Sequence, residues 1–389
     1  MNGRSSHSGN TSRLKIGLLR LTDSAPVIVA CELGYFAEEG VQTELMVEPS
    51  WANIADKLAY GFSDAAVILP PLAFAITLGL RQPAQSLVVP FSISMGGNTV
   101  TLSRELADEV QTIALRDHVP LVNALAATLT PKLERPVFAV VDNYSTHDLL
   151  LRYWLATAGI IAGRNADLVV IPPQRMVEAL QTRRVSGFCA GAPWGEMAVR
   201  AGAGTTVATS RDIWRNAPEK VFALRQDWAE SHPGMLEGAV RALLRAARFC
   251  DAPENAAYTA ALLSRPDYLG VDSQAILSSL PGAVPAMNRT VFHRHAATFP
   301  WRSHAQWFLG QMQRWGLLDA RAQTRTIADR IYRPDLYRRA VAATGESVPV
   351  ADVKPEGAHR STWSLDASPR PIAMDADYFC DGAVFEPSD

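Results

Sequence analysis

The sequence predicts an α/β protein built as two lobes, and three observations predict it. Its 389 residues exceed what one hydrophobic core usually serves, about 250 to 300 residues. Hydrophobic residues at 48% and charged residues at 20% give the balance of a globular chain with material for a real core. From Leu14 onward, short aliphatic or β-branched runs alternate with segments of helical period, the pattern of parallel βαβ units.

The elements follow in order. Strands are expected at Lys15 to Leu19, Thr43 to Glu48, Ala65 to Leu69 and Leu87 to Phe91, with helices over Ala25 to Glu39, Ala52 to Tyr60 and Leu72 to Leu80. The turn Gly96-Gly97-Asn98 closes this block. A second block has strands at Val137 to Val141, Leu168 to Ile171 and Gly187 to Ala190, and helices at His147 to Thr157 and Met176 to Arg183. Gly202 and Gly204 open a third block, mostly helical beyond Trp228, with apolar residues at helical spacing over Leu236 to Phe249, Ala256 to Leu263 and Trp307 to Trp315. From Val348 the chain is rich in Pro, Asp and Ser and is expected to wrap the surface without a core of its own. The division is a polar, disordered tail over 1–13, the first part of lobe I over 14–100, lobe II over 101–205, and the second part of lobe I over 206–389.

Composition excludes several functions. A net charge of -2 gives no ground for direct nucleic-acid binding. No stretch reaches the roughly 18 to 20 apolar residues of a membrane span. Met1 to Arg13 are polar, with no apolar run of signal-peptide length and no twin-arginine pair, so a cytoplasmic location is expected. Cys31, Cys189, Cys250 and Cys380 are scattered without a C-x-x-C pair and read as small hydrophobes or idle thiols, so neither metal nor cofactor is expected. No phosphate-binding loop, H-E-x-x-H or G-x-S-x-G is present. Gly202-Ala203-Gly204 lacks the third glycine of a dinucleotide loop, and His293 and His295, two apart, read as surface or structural histidines.

In parallel sheets, ligands gather at the carboxyl ends of strands. There, Ser50 is a good N-cap and Trp51 starts a helix, so its indole N–H stands among free backbone N–H groups, donors that suit an anion. The geometry repeats where Asp142 to Asp148 opens a helix with His147 in its first turn. Lys220 directly precedes the apolar run Val221-Phe222-Ala223 and projects from a strand start. Asn98 offers an amide after two glycines that permit close approach. The competing readings are a tryptophan packed over a lobe, an exposed first-turn histidine, a solvated lysine and a turn asparagine. Asp148 reads as a helix-dipole or capping residue.

These segments resemble the nitrate and bicarbonate branch of the periplasmic binding protein superfamily. The carriers are Leu21-Thr22-Asp23-Ser24-Ala25-Pro26, Gly34-Tyr35-Phe36, Ser50-Trp51-Ala52-Asn53-Ile54, Thr146-His147-Asp148, Arg152-Tyr153-Trp154-Leu155, Pro218-Glu219-Lys220-Val221 and Phe299-Pro300-Trp301-Arg302-Ser303-His304. The resemblance implies the two-lobed type II binding-protein fold with a ligand cleft between the lobes, and it implies nitrate or nitrite held by Trp51, Asn98, His147 and Lys220. Bicarbonate receptors of this branch use an acidic residue and calcium where Lys220 stands. Asn98 replaces an expected glutamine, and Ala192 replaces a glutamate in Gly191-Ala192-Pro193-Trp194. Together with the polar N-terminus, the resemblance implies a cytosolic nitrate/nitrite sensor (NasS-like) that controls an RNA-binding antiterminator (NasT-like). The alternatives are the solute receptor of a nitrate importer and, in another class, a thiamine-pyrimidine synthase-like enzyme.

Overall fold

The computed structural model describes residues 13–130, 134–282 and 289–388; the tail expected over 1–13 lies, except for Arg13, outside them. Two five-stranded mixed sheets form the two lobes. In the first, β1 (Leu14–Leu19), β2 (Thr43–Glu48), β3 (Ala65–Ile68) and β4 (Leu87–Ser92) are joined by a late strand, β10 (Val221–Arg225), in the order β2-β1-β3-β10-β4. In the second, β5 (Asn98–Ser103), β6 (Val137–Val140), β7 (Asp167–Val170), β8 (Gly187–Gly191) and β9 (Gly204–Thr209) take the order β7-β6-β8-β5-β9. β1 pairs parallel with β2 and β3, whereas β10 runs antiparallel between β3 and β4.

The chain passes between lobes twice, after β4 and after β9, and the two crossovers zip together. Glu219 N–H donates to Ser94 O at 2.9 Å, Ile93 N–H to Lys220 O at 2.8 Å, and Gly96 N–H to Ala217 O at 2.9 Å. This ribbon puts Asn98 and Lys220 at the junction between lobes. It also corrects the turn expected at Gly96-Gly97-Asn98: Gly96 has φ 76°, and a Cβ there would lie 2.6 Å from Arg289 O, so the turn is real, but Asn98 opens β5, opposite Gly191.

Local signals placed most elements within a residue or two. The helix expected over Ala25 to Glu39 is two, Ala25–Glu32 and Tyr35–Glu38, because Gly34 adopts the left-handed conformation at φ 75° and stops the first. The helix expected at Leu72 to Leu80 runs Pro70–Thr77, with proline in its first turn where no N–H is needed. Strands β5 and β9 and the helices Arg104–Asp117 and Leu121–Leu129 were not read from the sequence, whereas the strand start expected after Lys220 is β10.

The long helix Pro233–Asp251 buries Leu236, Val240, Leu243 and Ala247, an i, i+3/i+4 stripe, against Ala25–Glu32 on the first lobe. The C-terminal segment does more than wrap. It forms two short antiparallel pairs, Val348–Pro349 with Ala367–Ser368 and Trp363–Leu365 with Ile372–Met374, and it buries Lys354, Glu356 and Asp377. Trp214 Nε1 donates to Asp377 at 2.7 Å and Tyr153 Oη to Asp381 at 2.8 Å, so the segment spans the crossover and reaches lobe II. No helix among the described residues is long and apolar enough to cross a membrane.

Candidate anion-binding site

Two serine caps aim the site. Ser50 accepts from Asn53 N–H and starts the helix Trp51–Ala59; Ser145 accepts from Asp148 N–H at 3.0 Å and starts Thr146–Ala156. Both helices begin where a parallel strand of their own lobe ends, which carries Trp51 to within 5.3 Å of the Lys220 ammonium and His147 to within 3.5 Å of Glu219. The crossover ribbon adds Lys220 from one side and Asn98 from the other. All four sequence-chosen residues are buried, between 0% and 2% exposed. His147 is therefore not an exposed first-turn residue, and Lys220 is not solvated.

The hub of the cluster is a residue that sequence reasoning assigned no role. Glu219 accepts from Asn98 Nδ2 at 2.5 Å, accepts from Lys220 Nζ, and lies 3.5 Å from His147 Nε2. Asp23 Oδ2 is 2.9 Å from the Lys220 ammonium, which sits 5.3 Å from the Trp51 ring centroid, within cation–π reach. Gly191, at the end of β8, lines the same spot: a Cβ there would lie 3.5 Å from both Asn98 Oδ1 and His147 Nε2. The picture of a site with donors only is thus corrected. Asn98 spends an N–H on Glu219, and two carboxylates stand beside the lysine. Both lie inside quoted motifs, T-D-S and P-E-K, yet an acid is not what an anion site leads one to seek.

Several polar atoms in this cluster have no hydrogen-bond partner among the described residues: Trp51 Nε1, both His147 ring nitrogens, Asn98 Oδ1 and Asp23 Oδ1. Buried polar atoms are rarely left so, and their convergence on the lobe junction marks a place for a small polar ligand. Burial, then Lys220, push the His147 imidazole well below its ordinary range, so it is neutral, with one ring N–H available to a ligand. Burial raises the Asp23 carboxyl. For Lys220, burial works to lower the ammonium, but Asp23 first and then Glu219 outweigh it, and the net direction is up. At about 4 Å and an effective dielectric near 20, one ammonium attracts a monovalent anion by roughly 4 kcal/mol, and a carboxylate at that distance repels it equally.

Nearby groups are accounted for. Asp148 pairs with Arg152 at 2.7 Å, a structural role, although burial raises its carboxyl to about 6. The four cysteines are free, and burial raises the Cys189 thiol, keeping it neutral. His293 pairs with Glu346 at 2.9 Å and His295 Nδ1 contacts Ala373 O at 2.8 Å, both remote from the cluster. No group of three or more His, Cys, Asp or Glu among the described residues has metal-holding geometry.

The NMT1-like family pattern matches residues 7–264, more than half of the chain. The chain belongs to the NMT1-like family. Within reach of this NMT1-like protein are the nitrate/nitrite binding proteins NrtA of Synechococcus elongatus, 33% identical over 357 residues that cover 87% of this chain and 80% of the relative, and of Synechocystis, 31% identical over 347 residues that cover 85% and 76%. The crystal structure of the periplasmic nitrate-binding protein NrtA from Synechocystis superposes on the NMT1-like chain with a TM-score of 0.82 at 26% identity, covering 97% of this chain and 96% of that one. The two-lobed binding-protein fold is therefore shared. The bicarbonate transport ATP-binding protein CmpC of Synechocystis is 32% identical over 351 residues, 88% of this chain and 52% of that relative.

Proposed function

We propose that this chain binds nitrate or nitrite between its lobes and serves as the solute-binding receptor of an importer. The observation that carries the reading is the buried Lys220 ammonium at the lobe junction, flanked by Trp51 and His147 N–H groups that have no other partner. A planar ion with acceptors only is what such donors satisfy, and a buried anion needs both donors and positive charge. Lysine at position 220, rather than an acid, favours nitrate over a calcium-assisted bicarbonate site. The relatedness to NrtA supports the same ligand class.

The test is titration calorimetry against nitrate, nitrite, bicarbonate and chloride. Saturable heat with nitrate or nitrite, and none with bicarbonate or chloride, is expected. Saturation by bicarbonate alone overturns the reading.

The sensor that holds an RNA-binding antiterminator is the second reading. It rests on the family resemblance alone, whereas the relatives named above are nitrate/nitrite-binding and bicarbonate-transport proteins, so the receptor reading carries more weight. Linkage separates the two, because an anion releases a partner only if it prefers the partner-free conformation. Moving an equilibrium from 1:99 to 99:1 takes about 5.5 kcal/mol of differential affinity, which demands contacts from both lobes; Trp51 and His147 offer them. Dissociation of a purified complex with the antiterminator on nitrate addition, followed by light scattering, would establish the sensor; no complex, or one indifferent to nitrate, leaves the receptor. The enzyme alternative needs a cysteine-rich metal motif, and four separate free thiols do not supply it.

A further inference from the structure

The carboxylates at the heart of the cluster have no place in a simple account of anion binding. The buried set contains Asp23, Glu219, Lys220 and His147, each with a side chain 0% to 7% exposed. With the imidazole neutral, its formal charge is already one negative. Lys220 is the cation that both carboxylates share. The other charged groups on the surrounding elements are matched elsewhere: Asp148 with Arg152 on the His147 helix, Glu48 with Lys57 at the end of β2, and Asp142 with Arg81 beyond β6. The Cys189 thiol on β8 is neutral. A bound anion would therefore leave two uncompensated negative charges in a buried place, which proteins do not tolerate.

We propose that Asp23 and Glu219 make the site a filter for a single negative charge, in which each bound anion brings one proton from solvent onto the contact between His147 Nε2 and Glu219 Oε1, and a doubly charged anion is refused. The inference rests on the anion-binding reading above. Its geometry is the 3.5 Å separation of Nε2 and Oε1, on the side of the cluster where Gly191 leaves room beside Asn98 Oδ1 and Nε2. In the anion-free protein, burial and then Lys220 keep the proton off His147. An anion placed beside the ring neutralises the effect of Lys220 and adds its own attraction, so the proton becomes bound and the total returns to one negative. No covalent bond changes; solvent supplies the proton and regains it on release. A dianion would need two protons at once, and the cluster has one open position between an imidazole and a carboxylate. The two acids set the charge that the site accepts, while Lys220 sets its sign.

Linkage makes the proposal measurable, since uptake of one proton on binding weakens affinity about tenfold for each pH unit of rise while the proton is absent from the free site. Nitrate is titrated calorimetrically into the whole protein at pH 6 to 9, in pairs of buffers that differ in ionisation enthalpy, with sulfate as the dianion. About one proton taken up per nitrate, a Kd rising about tenfold per pH unit, and no competition by sulfate are expected. Glu219→Gln keeps the shape of the hub and removes one negative charge; its proton count should fall toward zero, its Kd should lose the pH slope, and sulfate should begin to compete. Asp23→Asn, checked like the first by circular dichroism, gives the same reading if Glu219→Gln does not fold. Nitrate binding by the wild type with no proton uptake and a flat pH profile overturns the filter and leaves the anion reading intact, as does sulfate competing equally in wild type and variant. Absence of nitrate heat at every pH overturns both.

Discussion

The Lys220 ammonium stands 2.9 Å from Asp23 Oδ2, tying the segment after the first strand of lobe I to the crossover returning from lobe II. The lysine is thus both the source of positive charge for a ligand and the counter-ion of two buried acids.

Its loss should show both roles. Lys220→Met is expected to abolish nitrate binding and to lower stability at pH 7 by about 3 to 5 kcal/mol, the cost of removing one partner from a buried ion pair. Asp23 already has a raised carboxyl, and without the ammonium it rises further. A raised folded-state pKa contributes stability that is complete below the unfolded value, near 3.8, and lost as pH rises. The deficit should therefore be smallest in acid and grow toward neutrality in urea melts from pH 4 to 7. A deficit independent of pH would contradict this account. Lys220→Glu places a third acid in the cluster and is expected to misfold.

Trp51 and His147 should each matter as donors. Trp51→Phe keeps an aromatic face for Lys220 and loses the indole N–H, so nitrate binding should weaken by about 1 to 3 kcal/mol with little change in melting temperature. His147→Ala should weaken it by a similar amount. Parental affinity in both variants, measured by calorimetry, would move the site elsewhere.

Gly191→Ala offers the cleanest separation of fold from binding. The added Cβ meets Asn98 Oδ1, His147 Nε2 and Leu21 Cδ2 at 3.5 Å each, ordinary van der Waals contacts that the anion-free protein accommodates. It occupies the space beside the two polar groups, so anion binding should be lost while the thermal melt stays close to that of the parent. Unchanged affinity would show that the anion does not approach β8.

The C-terminal segment should be acid-labile. Burial pushes the Glu356 carboxyl up, but Lys354 and then His304 pull it further down, from 4.5 to about 2. A depressed folded-state pKa gives stability that is present above the unfolded value and lost as pH falls, here between 4.5 and about 2, worth on the order of 3 kcal/mol at neutral pH. Glu356→Gln should lose about that much at pH 7 and converge with the parent by pH 2. Denaturant midpoints at pH 7, 4, 3 and 2 provide the check; a constant difference would place the acid sensitivity elsewhere.

What the sequence determined by itself was whatever rests on neighbouring residues. Ser50 announces a helix start because capping is a contact between a side chain and an amide three residues on, and the run Asp142 to Asp148 announces another, whose cap the structure assigns to Ser145; those starts carry Trp51 and His147 to the ends of their strands. The alternation of β2 and its helix, the stripe on Pro233–Asp251 and the stop at Gly34 are local in the same sense, although the stop was read only after the fold was seen. Tertiary structure alone decided that Asn98 begins a strand, because β5 exists through pairing with β8 and β9, and neither partner is signalled in its own six residues. It also decided that Asp23 and Glu219 flank Lys220. Coulomb energy depends on distance and burial, and nothing in the chain around Asp23 states that the crossover from lobe II will close over it. The donors of the site were therefore legible as residues, whereas the charge balance that governs what they hold emerged only when the two lobes met.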